Sequence, residues 1–411
     1  MNFEYYIAKR FNSDKENKST ISSPITKIAI LAVALGIIMM IVALGTGIGL
    51  QEKIRDKVSA LNGHIIISSF TDNQSDVSVV PIDKNQSFYP KFKNIPEVVH
   101  IQGVATKSGM IRTEKAFEGI IYKGIGKDYN WEMMQDFLLS GRFPDVKKQL
   151  NNEIVISKYL ANRLTLNLGD SFNTFFMKDN QNSLPSSRRF TIVGIYDSGF
   201  EEFDKNYIIG DIRHLQRINK WNENQIGNFE VFVKDFSKID ATNEKVYKEI
   251  SSSLNATPIT KKYYYIFDWI ALFDSNIILI LVVMNIVSII NMIVALLVII
   301  LEKIPAIGIL KSLGATNWQI RKTFLYNTFF IILKGMFYGN LIGITLLLVQ
   351  YYFGIIKLNP QNYYVTTAPV VINVLHILAL NALVLGIGIL ALIIPSYIIT
   401  RITPAKSIKF T

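Results

Sequence analysis

The stretch IAILAVALGIIMMIVALGTGIGL, residues 28–50, contains 23 consecutive residues without a charged side chain. As an α-helix it is long enough to cross the hydrocarbon layer of a membrane, which is about 30 Å thick. Because 27 residues precede it and its apolar core is longer than that of a secretion signal, we expect a retained helix rather than a cleaved signal peptide.

Three further apolar runs follow. Residues 277–301 carry no charge, residues 324–356 carry only Lys334, and residues 370–399 carry no acidic, lysine or arginine side chain. The composition agrees, since half of the residues are hydrophobic and only 18% are charged, against about 25% in an average soluble protein. The sequence therefore predicts four transmembrane helices and excludes a disordered chain.

A long polar interval separates the first and second runs, about 225 residues, which is too long for a loop and predicts a domain. Short alternating segments typical of strands occur within it, namely HIIIS (64–68), GIIYKGIG (119–126), RFTIVGIY (189–196) and FEVFV (229–233). SKYLANRLTL (157–166) has a helical pattern between them. We expect an α+β domain, with two subdomains.

The predicted fold is a membrane protein with four transmembrane α-helices and a large α+β extracytoplasmic (periplasmic) domain between helices 1 and 2. The predicted segments, in chain order, are a cytoplasmic N-terminal elbow 1–27, helix one 28–50, the α+β domain 51–265, helix two 270–301, a cytoplasmic coupling helix 302–322, helix three 323–352, a periplasmic loop 353–369, helix four 370–400 and a cytoplasmic tail 401–411.

Basic residues near the helix ends predict the orientation. The elbow, the 302–322 connector and the C-terminal tail are rich in lysine and arginine, whereas the 357–369 loop has only Lys357. Such residues accumulate on the cytoplasmic side. The net charge of +11 could suggest nucleic-acid binding, but residues 51–265 are nearly balanced, with 29 basic and 26 acidic side chains. The surplus lies mainly beside the inner membrane face, so membrane lipids and not nucleic acid are the expected contact.

Catalytic motifs are missing from the sequence. It has no phosphate-binding G-x-x-x-x-G-K-[ST] loop, its four histidines are scattered, and the absence of cysteine removes thiol nucleophiles and zinc–thiolate sites. The acidic stretch EEFD (201–204) lacks a partnering base and predicts a solvated loop. We expect no catalytic residue, no metal site and no cofactor on this chain.

The connector EKIPAIGILKSLGATNWQIRK, residues 302–322, predicts a short helix. Pro305 suits its start and Gly314 its end. Ile307, Leu310 and Leu313 share one apolar stripe, which could dock in a groove of a cytoplasmic partner. An interfacial connector lying flat on the membrane fits the spacing equally well.

A glycine stripe marks the third run. Gly335, Gly339 and Gly343 recur every fourth residue, which permits close helix packing. We expect helix three to approach helix four or helix two there.

The string IGILKSLGATNWQI (307–320) resembles the coupling segment of FtsX/MacB-like permeases, which work with ABC ATPases, and the layout is similar. Further segments narrow the resemblance to lipoprotein-releasing permeases of the LolC/LolE type. They are IAKRF (7–11), GLQEKIRDKVSALNGHIIIS (49–68), NEIVISKYLANRLTLNLGDSF (152–172), RRFTIVGIYDSGFEEFDKNYIIG (188–210), LNPQNYYVTTAPV (358–370) and ITPAKSIKF (402–410). Together these segments extend over nearly the whole chain.

The resemblance implies a permease subunit that extracts lipoproteins from the inner membrane. Its implied partners are a cytoplasmic LolD-like ATPase dimer that binds ATP and Mg²⁺, a second permease copy or paralogue, and a periplasmic LolA-like lipoprotein carrier. The implied ATPase contacts are Glu302, Ile307, Gly308, Leu310, Lys311, Gly314 and Ala315. The implied lipoprotein cavity is formed by the ranges 36–48 and 270–288. The residues implied for it are Met39, Met40, Phe267 and Phe273.

The loop MKDNQNSLPSS (177–187) lies where one member of that family carries a hook for the carrier. Asn182, Leu184 and Pro185 are the possible carrier contacts, although a plain hairpin tip suits the sequence as well. Two other functions share the layout: a MacB-like efflux permease, which usually has a fused ATPase, and an FtsX-like signalling permease regulating a cell-wall hydrolase, which has a smaller outer domain. A membrane receptor without an ATPase is a more distant alternative.

Overall fold

The computed structural model describes residue 4 and residues 22–71, 75–113, 116–177 and 184–402. The chain forms two compact units. The helical unit comprises Met1–Gln51, Ile270–Lys357 and Thr367–Thr411, and the α+β unit comprises Glu52–Trp269 and Leu358–Thr366. Most of the predicted elbow and tail lie outside the described residues.

The helices of the described chain are α1 (Ser22–Asn62), α2 (Lys158–Leu164), α3 (Glu201–Asn206), α4 (Arg213–Asn219), α5 (Ile239–Glu249), α6 (Ile259–Lys262), α7 (Tyr264–Glu302), α8 (Ile304–Ser312), α9 (Asn317–Phe353), α10 (Pro360–Tyr363) and α11 (Val374–Ser396). Four of them, α1, α7, α9 and α11, are long and apolar enough to cross a membrane. The prediction of four such helices is confirmed. Helices α1, α7 and α9 are longer than their apolar runs, since the helical backbone continues into the flanking polar residues.

The strands are β1 (Ile65–Ser69), β2 (Ile82–Asp83), β3 (Val98–Arg112), β4 (Phe117–Ile125), β5 (Leu138–Gly141), β6 (Glu153–Ser157), β7 (Ser171–Phe176), β8 (Ser186–Tyr196), β9 (Tyr207–Asp211), β10 (Gln225–Ile226), β11 (Asn228–Val233) and β12 (Leu254–Pro258). Ten of them form one mixed sheet in the order β12-β1-β11-β3-β4-β9-β6-β8-β5, with β7 paired to β3 and β8. The predicted α+β domain between the first and second membrane helices is confirmed.

The register of this sheet brings distant segments together. Strands β11 and β3 pair antiparallel, with Glu230 opposite Gln102. Strands β3 and β4 also pair antiparallel, whereas β4 pairs parallel to β9. Buried and exposed positions alternate along most of β8, as expected for a strand with one face in the core. Hydrogen bonding is continuous across the ten strands, and the division into two subdomains stays a prediction.

In the helical unit, the glycine stripe of α9 packs against α1. A β-carbon added at Gly339 would lie 2.8 Å from Cβ of Ile37, and one added at Gly335 would lie 2.7 Å from Cβ of Val33. The expected partner, helix four or helix two, was wrong. A stripe of small residues indicates close approach but does not specify the neighbour, because every membrane helix offers apolar side chains to it.

Candidate functional site: coupling segment and apolar groove

The coupling segment, residues 304–321, is built from local sequence signals. Pro305 lies in the first turn of α8, where its missing N–H removes no helical hydrogen bond. The helix ends in a Schellman motif, because the amide of Ala315 donates to Leu310 O at 3.0 Å and that of Gly314 to Lys311 O at 3.1 Å. Gly314 has φ +93°, a conformation that glycine adopts without strain.

The next helix begins immediately. Thr316 caps α9 in a capping box: its hydroxyl accepts from the amide of Gln319 at 3.3 Å, and its own amide donates to the Gln319 side chain at 2.9 Å. One helix therefore stops and the next starts within four residues, so the turn between them is fixed by its own hydrogen bonds.

One face of α8 packs into the helical core. Ile307 is fully buried, Gly308 is buried, and Leu310 and Ala315 pack against the core as half-buried residues. Four predicted ATPase contacts thus lie on the inward side of this segment. The expected stripe of Ile307, Leu310 and Leu313 is split, because Leu313 lies at the C-cap and points away from the other two.

Three apolar side chains of the coupling segment, two at α8 and one in the first turn of α9, are exposed. Leu313 is 79% exposed, Ile309 55% and Trp318 54%. We call these three residues the coupling surface. The sequence analysis did not single out Ile309 and Trp318, although a signal was available: a short helix between two membrane helices turns one face to them and leaves the other face exposed.

Lys311 and Arg321 tie the coupling segment to the end of α11 and the residues that follow it, up to 402. The Lys311 ammonium donates to the carbonyl oxygens of Ile399 at 2.8 Å and Ile402 at 2.6 Å, and its burial lowers the pKa of this amine. The Arg321 guanidinium donates to the hydroxyl of Ser396 at 3.1 Å and lies 3.9 Å from the ring centroid of Tyr397. We call Lys311 and Arg321 the C-terminal clamp.

The remaining predicted contacts, Glu302 and Gly314, lie on either side of α8. Glu302 is half-buried, with a carboxylate oxygen 3.7 Å from the ammonium of Lys303. Gly314 is exposed, and a β-carbon added there would have no heavy atom within 4 Å. Of the seven predicted ATPase contacts, only Gly314 is thus fully open to a partner.

An open apolar groove of about 340 Å³ runs between α1 and α7. It is lined by Met39, Val42, Ala43, Leu279, Ile280, Val283 and Met284. No lining side chain is charged, which suits a hydrocarbon chain.

Of the four predicted cavity residues, Met39 lines this groove. Met40 is fully buried in the helical core, with its sulfur 3.5 Å from Nδ2 of Asn285. Phe267 belongs to the α+β unit and stacks on Phe236 with the ring centroids 5.7 Å apart, while Phe273 is half-buried in the helical unit.

The possible carrier loop connects β7 to β8, which pair as an antiparallel hairpin with Phe176 opposite Ser186. Leu184 is 85% exposed and Pro185 is exposed. Asn182 lies outside the described residues. The role of Asn182, Leu184 and Pro185 as carrier contacts stays a prediction.

The acidic EEFD stretch forms α3 instead of the expected solvated loop. Asp204 is buried, and its carboxylate accepts from the Ser198 hydroxyl at 2.7 Å and from the Gly199 amide at 3.0 Å. Burial raises its pKa to about 6. Local hydrogen bonding accounts for the burial of this carboxylate, since it accepts hydrogen bonds from the turn that precedes the helix. In the described parts of the chain, no group of three or more metal-ligating side chains could hold an ion.

Comparison with known proteins agrees with this architecture. Residues 26–248 match the model of the MacB-like periplasmic core domain, and residues 278–404 match that of the FtsX-like permease C-terminal region. The chain belongs to the FtsX/MacB-like permease family. It is therefore an ABC transporter permease with a periplasmic-type domain between its first two membrane helices.

Two named relatives match this permease over almost its whole length, and a solved structure matches half of it. It is 23% identical to the lipoprotein-releasing system transmembrane protein LolC of Haemophilus influenzae, covering 100% of both chains. It is 20% identical to LolE of the same organism, covering 99% of both. The periplasmic region of MacB from Actinobacillus actinomycetemcomitans matches half of this chain and 92% of its own, with 14% identity and a TM-score of 0.33. The resemblance to LolC/LolE-type permeases is confirmed.

Proposed function

We propose that this permease extracts lipoproteins from the bacterial inner membrane for delivery to the outer membrane, driven by ATP hydrolysis on a separate subunit. The observation that carries the proposal is the open, uncharged groove between α1 and α7, in a chain that aligns end to end with lipoprotein-releasing proteins. A lipoprotein anchor consists of acyl chains, and this groove offers them an apolar surface.

The energetics require an external source of energy. Moving an acyl chain from the bilayer into water costs about 0.8 kcal/mol per methylene, so a lipoprotein with several chains does not leave unaided. This chain carries no nucleotide-binding motif. The energy then comes from an ABC ATPase bound to the permease, with ATP and Mg²⁺ held by that subunit.

The coupling surface is the proposed contact for the ATPase. Ile309, Leu313 and Trp318 expose large apolar areas on a segment whose backbone is fixed by two capping motifs. Full burial of an aliphatic side chain of this kind contributes about 1.5–3 kcal/mol. The lysine and arginine distribution favours a cytoplasmic position for the segment, with both termini on the same side.

The C-terminal clamp extends this contact to α11. Because Lys311 and Arg321 bind residues 393–402, a push on the coupling segment would also displace the end of α11. A second copy or a paralogue would form the other half of the transporter. The periplasmic domains would then hand the lipoprotein to a soluble carrier, with Leu184 and Pro185 as candidate contacts.

Affinity purification tests the proposal. The tagged permease is isolated in mild detergent from its own cells and examined for an ATPase, acylated protein and a carrier. We expect an ABC ATPase and triacylated lipoprotein to co-purify. An ATPase with a small apolar solute and no lipoprotein would support an efflux permease instead. A cell-wall hydrolase as the main partner would support a signalling permease.

A further inference from the structure

A buried ion pair lies at the end of α1 within the α+β unit. The Lys123 ammonium donates to Oε1 of Glu230 at 2.6 Å and to the carbonyl oxygen of Leu61 at 2.5 Å. The two charged side chains are only 2% and 5% exposed. Leu61 belongs to the last turn of α1, where the backbone carbonyls have no partner within the helix.

Three neighbouring strands supply this cluster. Lys123 lies on β4, Glu230 on β11, and Gln102 on β3 between them. The Gln102 side-chain amide donates to the second carboxylate oxygen of Glu230 at 2.8 Å and accepts from the backbone amide of Asn130 at 2.9 Å. The cluster thereby connects the end of α1 to the centre of the ten-stranded sheet.

The backbone at the end of α1 is fitted closely to the same cluster. Gly63 has φ +74°, and a β-carbon there would lie 2.9 Å from Cβ of Glu230. The neighbouring Asn62 side chain accepts a hydrogen bond from the hydroxyl of Tyr263 at 3.0 Å, one residue before α7 begins. The end of the first long helix and the start of the second therefore meet at one point of the sheet.

The chemistry of the Lys123–Glu230 pair indicates a role beyond stabilising the fold. Burial lowers the pKa of the Lys123 amine, with the Glu230 carboxylate opposing this effect. A buried ion pair is often no more stabilising than apolar side chains of similar volume. What apolar side chains cannot supply is a charged donor to the negative, carbonyl end of a helix.

We propose that Lys123 and Glu230 are positioning residues that join the end of α1 to the β-sheet, so that displacement of α1 during the ATPase cycle moves the sheet. This inference rests on the proposed function, because it assumes that ATP hydrolysis in the cytoplasm drives work in the periplasmic domain. The joint lies entirely within the α+β unit and uses residues from one helix and three strands.

The test uses the full-length permease with its ATPase in lipid nanodiscs, comparing wild type with the double variant Lys123→Met/Glu230→Gln. ATP hydrolysis, transfer of a triacylated lipoprotein to the soluble carrier and hydrogen exchange of residues 58–64 are measured. The double variant should hydrolyse ATP within twofold of wild type, while lipoprotein released per ATP falls at least tenfold. Exchange at residues 58–64 should accelerate at least tenfold.

The matched control is Asp211→Asn/Arg213→Gln, which removes another ion pair of the same unit that has no hydrogen bond to α1. Release per ATP and exchange at 58–64 should stay within twofold of wild type. If the double variant fails to fold, Lys123→Gln replaces it; this variant keeps a neutral donor and should give intermediate losses.

The outcomes separate this inference from the proposed function. Wild-type release per ATP and unchanged exchange in a folded Lys123 variant would overturn the joint. If wild type itself transfers no lipoprotein, the proposed function fails. Exchange at residues 58–64 then still decides whether the cluster holds the end of α1, and unchanged exchange overturns the joint in that case too.

Discussion

The ammonium nitrogen of Lys311 lies 2.6 Å from the carbonyl oxygen of Ile402, although 91 residues separate them. Together with the bond to Ile399, this contact fastens the coupling segment to the end of the fourth membrane helix. Lys311 is directed toward its own chain. Lys311 therefore holds the segment in place within its own chain, and under the proposed function the coupling surface would be the part that meets the ATPase.

Replacing Lys311 with Met should loosen the C-terminal clamp. The change removes two charge-assisted hydrogen bonds, each worth on the order of 1.5–3 kcal/mol, and leaves two carbonyl groups without this donor. We expect a lower thermal midpoint in detergent and faster hydrogen exchange at residues 396–402. Lys322→Met is the control, because this variant removes the same charge nearby; the Lys322 ammonium lies 5.6 Å from the Trp318 ring centroid. Equal effects of the two variants would contradict this role of Lys311.

Leu313→Asp should abolish ATPase binding without harming insertion. Leu313 is 79% exposed, so a carboxylate there meets water in the free permease but would be buried in the complex. Co-purification of the ATPase should fall at least tenfold. Leu139→Asp, at an exposed leucine of the α+β unit, should leave co-purification unchanged. Leu310→Asp is a less suitable variant, because Leu310 packs against the core and its loss would disturb folding. Undiminished ATPase binding by the Leu313→Asp variant would show that Leu313 lies outside the ATPase interface.

Gly339→Ala and Gly386→Ala form a matched pair within the membrane helices. The added carbon at 339 would lie 2.8 Å from Cβ of Ile37, whereas at 386 it would have no heavy atom within 4 Å. Overpacking of this kind costs about 1–3 kcal/mol. The thermal midpoint in detergent should fall for Gly339→Ala and stay within a degree or so, or rise, for Gly386→Ala, because alanine favours the helix by about 1 kcal/mol. A reversed order would refute the close approach of α9 to α1.

Asp204 should make stability depend on pH. Its pKa in the folded protein is about 6, above the ordinary value of 3.8, so the folded state binds a proton that the unfolded state has lost between these values. Its contribution to stability is therefore full below about pH 4, declines as pH rises through 6, and totals on the order of 2–3 kcal/mol. Relative to Asp204→Asn, the thermal midpoint of wild type should fall between pH 4 and 7. Parallel profiles of the two proteins would contradict the raised pKa.

Met39 and Met40 should behave differently toward acyl chains. Met39 lines the open groove, and Met40 is fully buried although it is the next residue. A photo-crosslinking amino acid at position 39 should label a co-purified lipoprotein on its lipid part, and one at position 40 should label α7 instead. Labelling of the lipoprotein only from position 40 would place the substrate elsewhere.

The membrane helices and the α+β domain were predictable from sequence because both follow from one-dimensional patterns. An uncharged run of 23 residues at 28–50 needs no knowledge of its neighbours to be assigned to a membrane. Strand patterns such as RFTIVGIY likewise show the alternation that β8 retains in the fold.

Which helix faces and side chains pack against one another was not predictable from the sequence. Helix α8 has apolar side chains on several faces, including Ile307, Ile309 and Leu310, so composition cannot tell which face meets α9 and the C-terminal segment. The Lys123–Glu230 pair joins residues 107 apart in sequence, and no local sequence pattern predicts it. The partner of Gly339 depends in the same way on how the four helices assemble.

Transfer of lipoprotein to a carrier tests most directly whether the permease releases lipoproteins. The permease, its ATPase and a triacylated lipoprotein are placed in nanodiscs, where both membrane faces are accessible, and a soluble lipoprotein carrier is added. We predict that lipoprotein appears on the carrier in proportion to ATP hydrolysed, and that a non-hydrolysable ATP analogue supports no transfer. Sustained ATP hydrolysis by the assembled complex with all of the lipoprotein retained in the nanodisc would contradict lipoprotein release by this permease.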